Sequence, residues 1–376
     1  MATGPDQPIR VGFDDQIFEA QRRGGISKYF LELIERLPDH GIEPVLLSEA
    51  TRNLHLVESG LVPRAPSRPA WQERLAWASW RAVGRPRSTP EPLPSLDIMH
   101  HTFTQAAYLR AWNGPRVMTI FDMTPELFPE YFRLGNPHLA KRRYAAVSDA
   151  IISISQNTAA DMLRLYDLPG LAAKTRVIPF GVGRQFFGAG TPVPDLPDRY
   201  LLFVGVRAGY KDFGVALEAW AALADTDPEL HLVVAGGGPL SATETVLIGA
   251  TQHADRVHQL TPRDDEIVEL YRRAAVFVFP SRYEGFGLPT LEALAAGTPT
   301  VLADASCSRE VGGDAALYFP PGDVPALASR LREALSGEYA AGIRAHGPAH
   351  AGAFTWDLAA ARTAEVYRDV LAHRLA

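Results

Sequence analysis

Cysteine is almost missing from this chain. Among 376 residues there is Cys307 alone, so an internal disulfide and a cysteine-built zinc site are both excluded. Lysine is scarce as well: Lys28, Lys141, Lys174 and Lys211 stand against 33 arginines, a bias that reads as GC-rich coding. Positive charge is not in excess. The net charge is −6 and the isoelectric point ≈ 6.0, which argues against a protein built to coat nucleic acid. No run of about 18 uninterrupted apolar residues occurs, so no transmembrane helix is expected. The start, MATGPDQPIRVGFDD, holds no apolar stretch for a signal peptide. The expectation is a cytoplasmic protein with, at most, a peripheral contact to a membrane face.

What is present is an alternation of short apolar runs with helical patterns. Ile9–Phe13, Val45–Leu47, Ile98–His100, Val117–Phe121, Ala150–Ile154 and Val177–Ile178 read as strands. A helix over Ser27–Leu37 carries Tyr29, Phe30, Leu33, Ile34 and Leu37 at three- and four-residue spacing. The pattern then restarts, with strands at Tyr200–Val204, Leu230–Ala235, Ala275–Phe279 and Thr300–Leu302. Helices at Asp212–Leu223, Asp264–Arg273 and Pro289–Ala296 lie between them. Such β-α-β-α order means parallel sheets with crossover helices. A length of 376 residues suits two domains of about 180 residues each. The boundary falls in the Gly/Pro-rich segment 181–198. The fold class is therefore α/β, two Rossmann-like, doubly wound parallel-sheet domains facing a central crevice where such folds take ligands. A last helix, from Trp356 to Leu371, closes the chain and is expected to pack back on the first domain.

The segment VFVFPSRYEGFGLPTLEALAAG, residues 276–297, is the richest in chemistry. A buried strand runs into a loop with Gly285 and Gly287, and Pro289 suits the first turn of the helix that follows. A glycine loop feeding a helix N-terminus offers free N–H groups and a positive dipole end to an anion. Two carboxylates flank it, Glu284 and Glu292. Helix capping is the bland explanation for Glu292. Carboxylates beside a phosphate would repel it, so as site residues they suit hydroxyls. Phosphate plus hydroxyls points to a sugar nucleotide.

The stretch Glu284-Gly285-Phe286-Gly287-Leu288-Pro289-Thr290-Leu291-Glu292 resembles the signature of family 4 retaining glycosyltransferases. FVGVRAGYKDF (203–213) is similar to that family's phosphate-binding strand end, RRGGISKYF (22–30) to its N-terminal glycine loop, VIPFGV (177–182) to its interdomain linker, and VVAGGGP (233–239) to its second glycine turn. The resemblance implies the GT-B fold. Residues 1–180 would form the acceptor-binding domain, 181–355 the nucleotide-sugar-binding domain, and 356–376 the returning helix.

It also implies transfer of a hexosyl group from a nucleoside diphosphate sugar to an acceptor hydroxyl, with retention, no cofactor and no metal. Gly24, Gly25, Arg207, Lys211, Gly285, Phe286, Gly287, Leu288 and Glu292 would bind the donor. Glu284, Asp122, Arg207 and Lys211 would act at the reacting centre, with Glu284 facing donor-sugar hydroxyls and Glu292 the ribose. In TIFDMTPELFPEYF (119–132), many relatives have His-Asp where this chain has Phe121-Asp122. Asp122 is thus a candidate for donor or acceptor hydroxyls, or else a loop anchor. His100 and His101, at a strand end, either approach the acceptor or are buried, satisfied histidines.

The motif set resembles bacterial O-antigen and exopolysaccharide enzymes, many of which use GDP-mannose or related GDP-sugars on saccharide or lipid-linked acceptors. A UDP-sugar-dependent enzyme is the alternative, and a noncatalytic sugar-nucleotide sensor a further one of another class. The region from Arg52 to Pro90 lies outside the resemblance. It holds seven arginines against Glu58 and Glu73, and three of six tryptophans, Trp71, Trp77 and Trp80. It reads either as an ordinary loop and packed helix or as a basic, aromatic surface for anionic membranes.

Overall fold

The computed structural model describes residues 7–66, 69, 72, 93–132, 138–207 and 209–375. They divide into two units, one made of residues up to Phe180 together with Trp356 onward, the other of Gly181–Thr355.

In the first unit six parallel strands, β1 (Ile9–Phe13), β2 (Ile42–Leu46), β3 (Ile98–His101), β4 (Arg116–Ile120), β5 (Ala150–Ser153) and β6 (Thr175–Val177), form one sheet. Their order is β2-β1-β3-β4-β5-β6. The chain winds one way from β1 to β2 and the other way from β3 onward, so the direction reverses between β1 and β3. The helix α1 (Gly25–Arg36) buries Tyr29, Phe30, Leu33 and Ile34, the stripe its spacing predicts. Two further helices are α2 (Lys141–Val147) and α3 (Gln156–Tyr166). The Ser155 side chain accepts the Thr158 N–H and so caps α3.

The second unit repeats the plan. Strands β7 (Tyr200–Val204), β8 (His231–Ala235), β9 (Val257–Leu260), β10 (Val276–Phe279), β11 (Thr300–Ala303) and β12 (Leu317–Phe319) lie parallel in the order β12-β11-β10-β7-β8-β9. Here the reversal is between β7 and β10. The unit's longer helices are α4 (Phe213–Ala224), α5 (Ala242–Gly249), α6 (Glu266–Arg273), α7 (Leu288–Ala295), α8 (Val324–Ala334) and α9 (Gly337–Ala351). Trp220 of α4 and Leu331 of α8 are fully buried in one core with Leu201, Leu232 and Val301 of the sheet. Each such side chain contributes about 1.5–3 kcal/mol by leaving water.

The last helix, α10 (Trp356–Leu375), belongs to the first unit. Its Tyr367 is fully buried and reaches His100 of β3, and its Asp357 pairs with Arg36 of α1 at 2.9 Å.

Of the segment from Arg52 to Pro90, Arg52 and Arg64 are described. Arg52 donates to the Pro66 carbonyl at 2.8 Å, and Arg64 bridges Thr51. Arg68, Arg74, Arg81, Arg85 and Arg87, with all three tryptophans, lie outside the described residues.

Candidate active site

In open parallel sheets the strand ends at a reversal point splay their following loops apart, and ligands settle there. In the second unit these are the loops after β7 and β10. They are tied together. The Arg282 N–H donates to the Tyr210 carbonyl at 2.8 Å, and the Arg282 guanidinium pairs with Asp212. Lys211 Nζ meets Glu284 Oε1 at 2.6 Å, with both side chains mostly buried. The same ammonium lies 5.4 Å from the ring centres of Tyr210 and Phe279. Two residues 73 positions apart, assigned from sequence to phosphate and to sugar, are therefore direct partners.

The Glu284 loop is held from β11's side. Its N–H donates to Ser306 Oγ at 3.0 Å, and its carbonyl accepts the Cys307 thiol at 3.3 Å. Gly285 follows, then Phe286, whose ring is buried against Phe354 at 6.1 Å. Phe286 thus has only backbone to offer a ligand. Gly287 adopts φ 84°, a left-handed turn that favours glycine, and α7 starts at Leu288 with Pro289 in its first turn. Glu292 is the fifth residue of α7, two positions past N3, and so makes no capping bond of the N3 kind. Its Oε2 accepts instead from the hydroxyl of Tyr271 at 3.0 Å.

Arg207, which the resemblance assigns to the donor phosphate, is placed inside the glycine turn of this unit. Its side chain is 1% exposed, and its Nε donates to Glu244 Oε1 at 2.8 Å. Its two terminal nitrogens reach the carbonyls of Gly236 (2.7 Å), Gly238 (2.9 Å) and Pro239 (3.0 Å). Gly236, Gly237 and Gly238 all have positive φ, which curls their carbonyls around the guanidinium. A Cβ on Gly237 would fall 2.7 Å from the Gly205 carbonyl and 2.8 Å from Arg207 itself. A guanidinium carries five donors in a fixed fork, and this fork is committed to the turn. Lys211 remains as the cation at this strand end. Burial works to raise the Glu244 carboxyl, but the Ser241 N–H and Arg207 outweigh it and hold it below the usual carboxylate range.

In the first unit the reversal point lies between β1 and β3. Asp14, following β1, is 2% exposed. It accepts from Thr102 (N–H 3.1 Å, Oγ1 2.6 Å) and Gln16 (2.7 Å), and sits 2.7 Å from His101 Nδ1. His101 Nε2 is buried with no hydrogen-bond partner among the described residues. His100, read from sequence either as an acceptor contact or as a buried, satisfied histidine, is placed differently from His101. It points to the other face of β3, where Nδ1 meets Tyr367 Oη at 2.6 Å and Nε2 meets Thr119 Oγ1 at 2.9 Å. Neither ring nitrogen is left for a ligand, and burial pushes its pKa down to about 3.

Beyond β4, Phe121 packs edge-on against Tyr29 at 5.2 Å, within an aromatic group that includes Phe30 and Phe180. Asp122 follows it into a small cleft lined also by Ile26, Thr102, Thr104, Phe121 and Lys141. Asp122 Oδ1 accepts the Thr124 N–H at 2.8 Å, and its carbonyl accepts Lys141 Nζ at 2.9 Å. Burial works to raise the Asp122 carboxyl. The Lys141 ammonium, His138 and the Thr124 N–H outweigh it and keep it below the usual range, hence ionised. Gly24 is extended, and Gly25 opens α1 immediately before this cleft's Ile26. A side chain at Gly25 would meet open space. Asp14, Lys141 and Tyr271 were missed in the sequence. Asp14 follows a strand end, which is a usable signal. Lys141 and Tyr271 sit in helical segments and carry none.

Two doubly wound parallel sheets, each with its charged residues at the strand ends of a reversal point, are the architecture of the GT-B fold. Two solved structures match this fold over nearly the whole chain. Sucrose-phosphate synthase from Thermosynechococcus elongatus has a TM-score of 0.69 at 21% identity, covering 97% of this chain and 100% of that one. Anabaena HepE in complex with UDP-glucose has a TM-score of 0.69 at 18% identity, covering 98% and 99%.

The Glycosyltransferase Family 4 model matches residues 23–186 and the Glycosyl transferases group 1 model residues 192–346. The chain belongs to glycosyltransferase family 4. Among curated relatives, O-antigen chain mannosyltransferase B of Escherichia coli is 25% identical over 92% of this chain and 96% of its own length. D-inositol 3-phosphate glycosyltransferase of Acidothermus cellulolyticus is 27% identical over 93% and 87%. No described helix is long and apolar enough to cross a membrane.

Proposed function

We propose that this glycosyltransferase moves a hexosyl group, with retention, from GDP-mannose or a related GDP-sugar to a saccharide or lipid-linked acceptor in bacterial surface polysaccharide synthesis. The observation that carries the reading is the Lys211–Glu284 pair, 2.6 Å apart at the reversal point of the second sheet. It brings a cation for phosphate and a carboxylate for hydroxyls to the loop that feeds α7. In this reading the diphosphate leaves toward Lys211 and the N–H groups of Gly287 and Leu288 at the start of α7, whose dipole end favours the growing negative charge. The Gly24–Gly25 loop adds backbone donors. Glu284 turns to the donor-sugar hydroxyls and orients them, while Glu292 takes the ribose. No covalent glycosyl intermediate is required: the donor phosphate accepts the acceptor's proton as the hydroxyl attacks from the same face. Asp122, ionised in its cleft, accepts from donor or acceptor hydroxyls, and His101 Nε2 is the imidazole nitrogen left over for an acceptor.

The mannosyltransferase relative supports a mannosyl donor. The UDP-glucose complex of the structural neighbour favours a second reading, a UDP-sugar donor. A thermal-shift screen of GDP-, UDP-, ADP- and dTDP-sugars, followed by transfer assays with the stabilising donor, separates the two. No stabilisation and no transfer with any of them would overturn both. The diphosphate is stabilised here without a divalent ion, so turnover should survive EDTA. Loss with EDTA and recovery with magnesium would refute that part. A cytoplasmic site with weak, salt-sensitive contact to anionic membranes through residues 52–90 completes the reading. Co-sedimentation with anionic liposomes at low and high salt tests it, and no binding at low salt would refute it.

A further inference from the structure

Among the described residues, the non-glycine positions with positive φ are Asp167, Asp195, Asp212 and Ser306. Aspartate tolerates this left-handed region, because its short side chain bonds to nearby backbone. Ser306, at φ 47°, stands apart, and a turn that needed only this backbone would be served by glycine. The hydroxyl is what glycine lacks. Ser306 Oγ accepts the N–H of Glu284 at 3.0 Å, across 22 residues. Beside it the Cys307 thiol donates to the Glu284 carbonyl at 3.3 Å and lies against the Ser306 hydroxyl. Both backbone groups of Glu284 are thus held by the turn that follows β11.

The turn is itself braced. The Arg309 guanidinium meets both Asp304 oxygens, at 2.7 and 2.6 Å. Ser308 Oγ accepts the Ala305 N–H at 3.1 Å, and the Ser308 N–H donates to the Ala305 carbonyl at 3.1 Å. Left-handed residues other than glycine persist where such contacts over-determine them, and they gather at functional sites. At its other end Glu284 has a partner of a different kind, Lys211 Nζ at 2.6 Å from Oε1. If that ammonium serves the diphosphate and the carboxylate serves sugar hydroxyls, the ion pair loosens as the donor arrives. An anchor on the backbone survives the exchange.

We infer, on the assignment of Glu284 to the donor sugar, that Ser306 is a positioning residue: its hydroxyl fixes the backbone from which the carboxylate reaches the transferred group. A misdirected carboxylate costs the chemical step more than it costs nucleotide binding, since orientation counts most in the transition state.

Ser306→Gly removes the hydroxyl and suits the left-handed backbone. Its melting temperature should stay close to the wild-type value, because relief of strain offsets the lost hydrogen bond. With GDP-mannose, or with UDP-glucose where the thermal-shift screen selects UDP-sugars, kcat should fall roughly tenfold, the size expected for one hydrogen bond. The dissociation constant of free GDP or UDP should not change, since neither carries a sugar for Glu284 to meet. In a Glu284→Gln background the same change should lower kcat no further. Wild-type kcat in Ser306→Gly, with kcat lost in Glu284→Gln, would refute the positioning role and leave the Glu284 assignment standing. Unchanged kcat in Glu284→Gln would remove that assignment first. If kcat, nucleotide binding and melting temperature fall together in Ser306→Gly, the hydroxyl serves the fold alone. If the losses multiply in the double variant, it does not act through Glu284. Either result overturns the inference.

Discussion

Replacing Arg207 by methionine separates two roles for this arginine. The substitution keeps most of the apolar stem and removes the guanidinium. Four acceptors lose their donor: the carbonyls of Gly236, Gly238 and Pro239, and Glu244 Oε1. The Glu244 carboxylate keeps the Ser241 N–H at 2.6 Å, so part of its charge stays satisfied. The three carbonyls belong to a turn that three consecutive left-handed glycines impose, and they cannot all rotate to water without unwinding it. Breaking a buried charge pair from one side costs about 3–5 kcal/mol. For a unit of this size about 1 kcal/mol moves the melting temperature by roughly 2–4 °C, so a fall of roughly 6–20 °C is expected. Urea unfolding followed by circular dichroism should show a lower midpoint. Arg207→Lys should not rescue it, because a single ammonium with three donors cannot span four acceptors. Turnover measured well below the new melting point should fall less than stability does. A normal unfolding midpoint with turnover lost would mean that the guanidinium meets the ligand, and the turn-holding argument would be wrong.

Glu284→Gln should lower kcat more than it raises the nucleotide dissociation constant, because the acid is assigned to the transferred sugar. Lys211→Met should weaken both nucleotide binding and turnover without altering donor preference, since phosphate carries no information about the sugar. A changed donor preference at full rate would refute the Lys211 assignment. Between about pH 6.5 and 3 the unfolded chain takes up a proton at His100 that the folded protein refuses. Stability conferred by the neutral ring is therefore complete above pH 6.5 and is lost as the pH falls, by up to about 1.4 kcal/mol per pH unit. Urea midpoints at pH 7 and pH 5 should diverge more in the wild type than in His100→Gln. Equal divergence would show that other groups govern the acid limb.

The sequence by itself determined the α/β alternation and most of the strands. A strand buried on both faces of a parallel sheet is a continuous apolar run, and β7 begins and ends where its run, YLLFV, does. The loop from Glu284 to Glu292 was legible for the same kind of reason, since its glycines and proline follow from local backbone demands. Strands β9 and β12 escaped notice. They are edge strands, half-buried, and VHQL or LYF offers no long apolar run.

Only the tertiary structure decided the order of strands, and with it the two reversal points, because pairing between distant runs leaves no mark on either run. It also divided the two neighbouring histidines. Successive side chains on a strand face opposite ways, so His100 lies among Phe13, Phe30 and Tyr367 while His101 meets Asp14. Lys211 with Glu284, Tyr271 with Glu292 and Arg207 with the glycine turn are pairings across 73, 21 and up to 32 residues. A side chain's charge is written in the sequence, but which partner neutralises it depends on where the packed core carries the backbone.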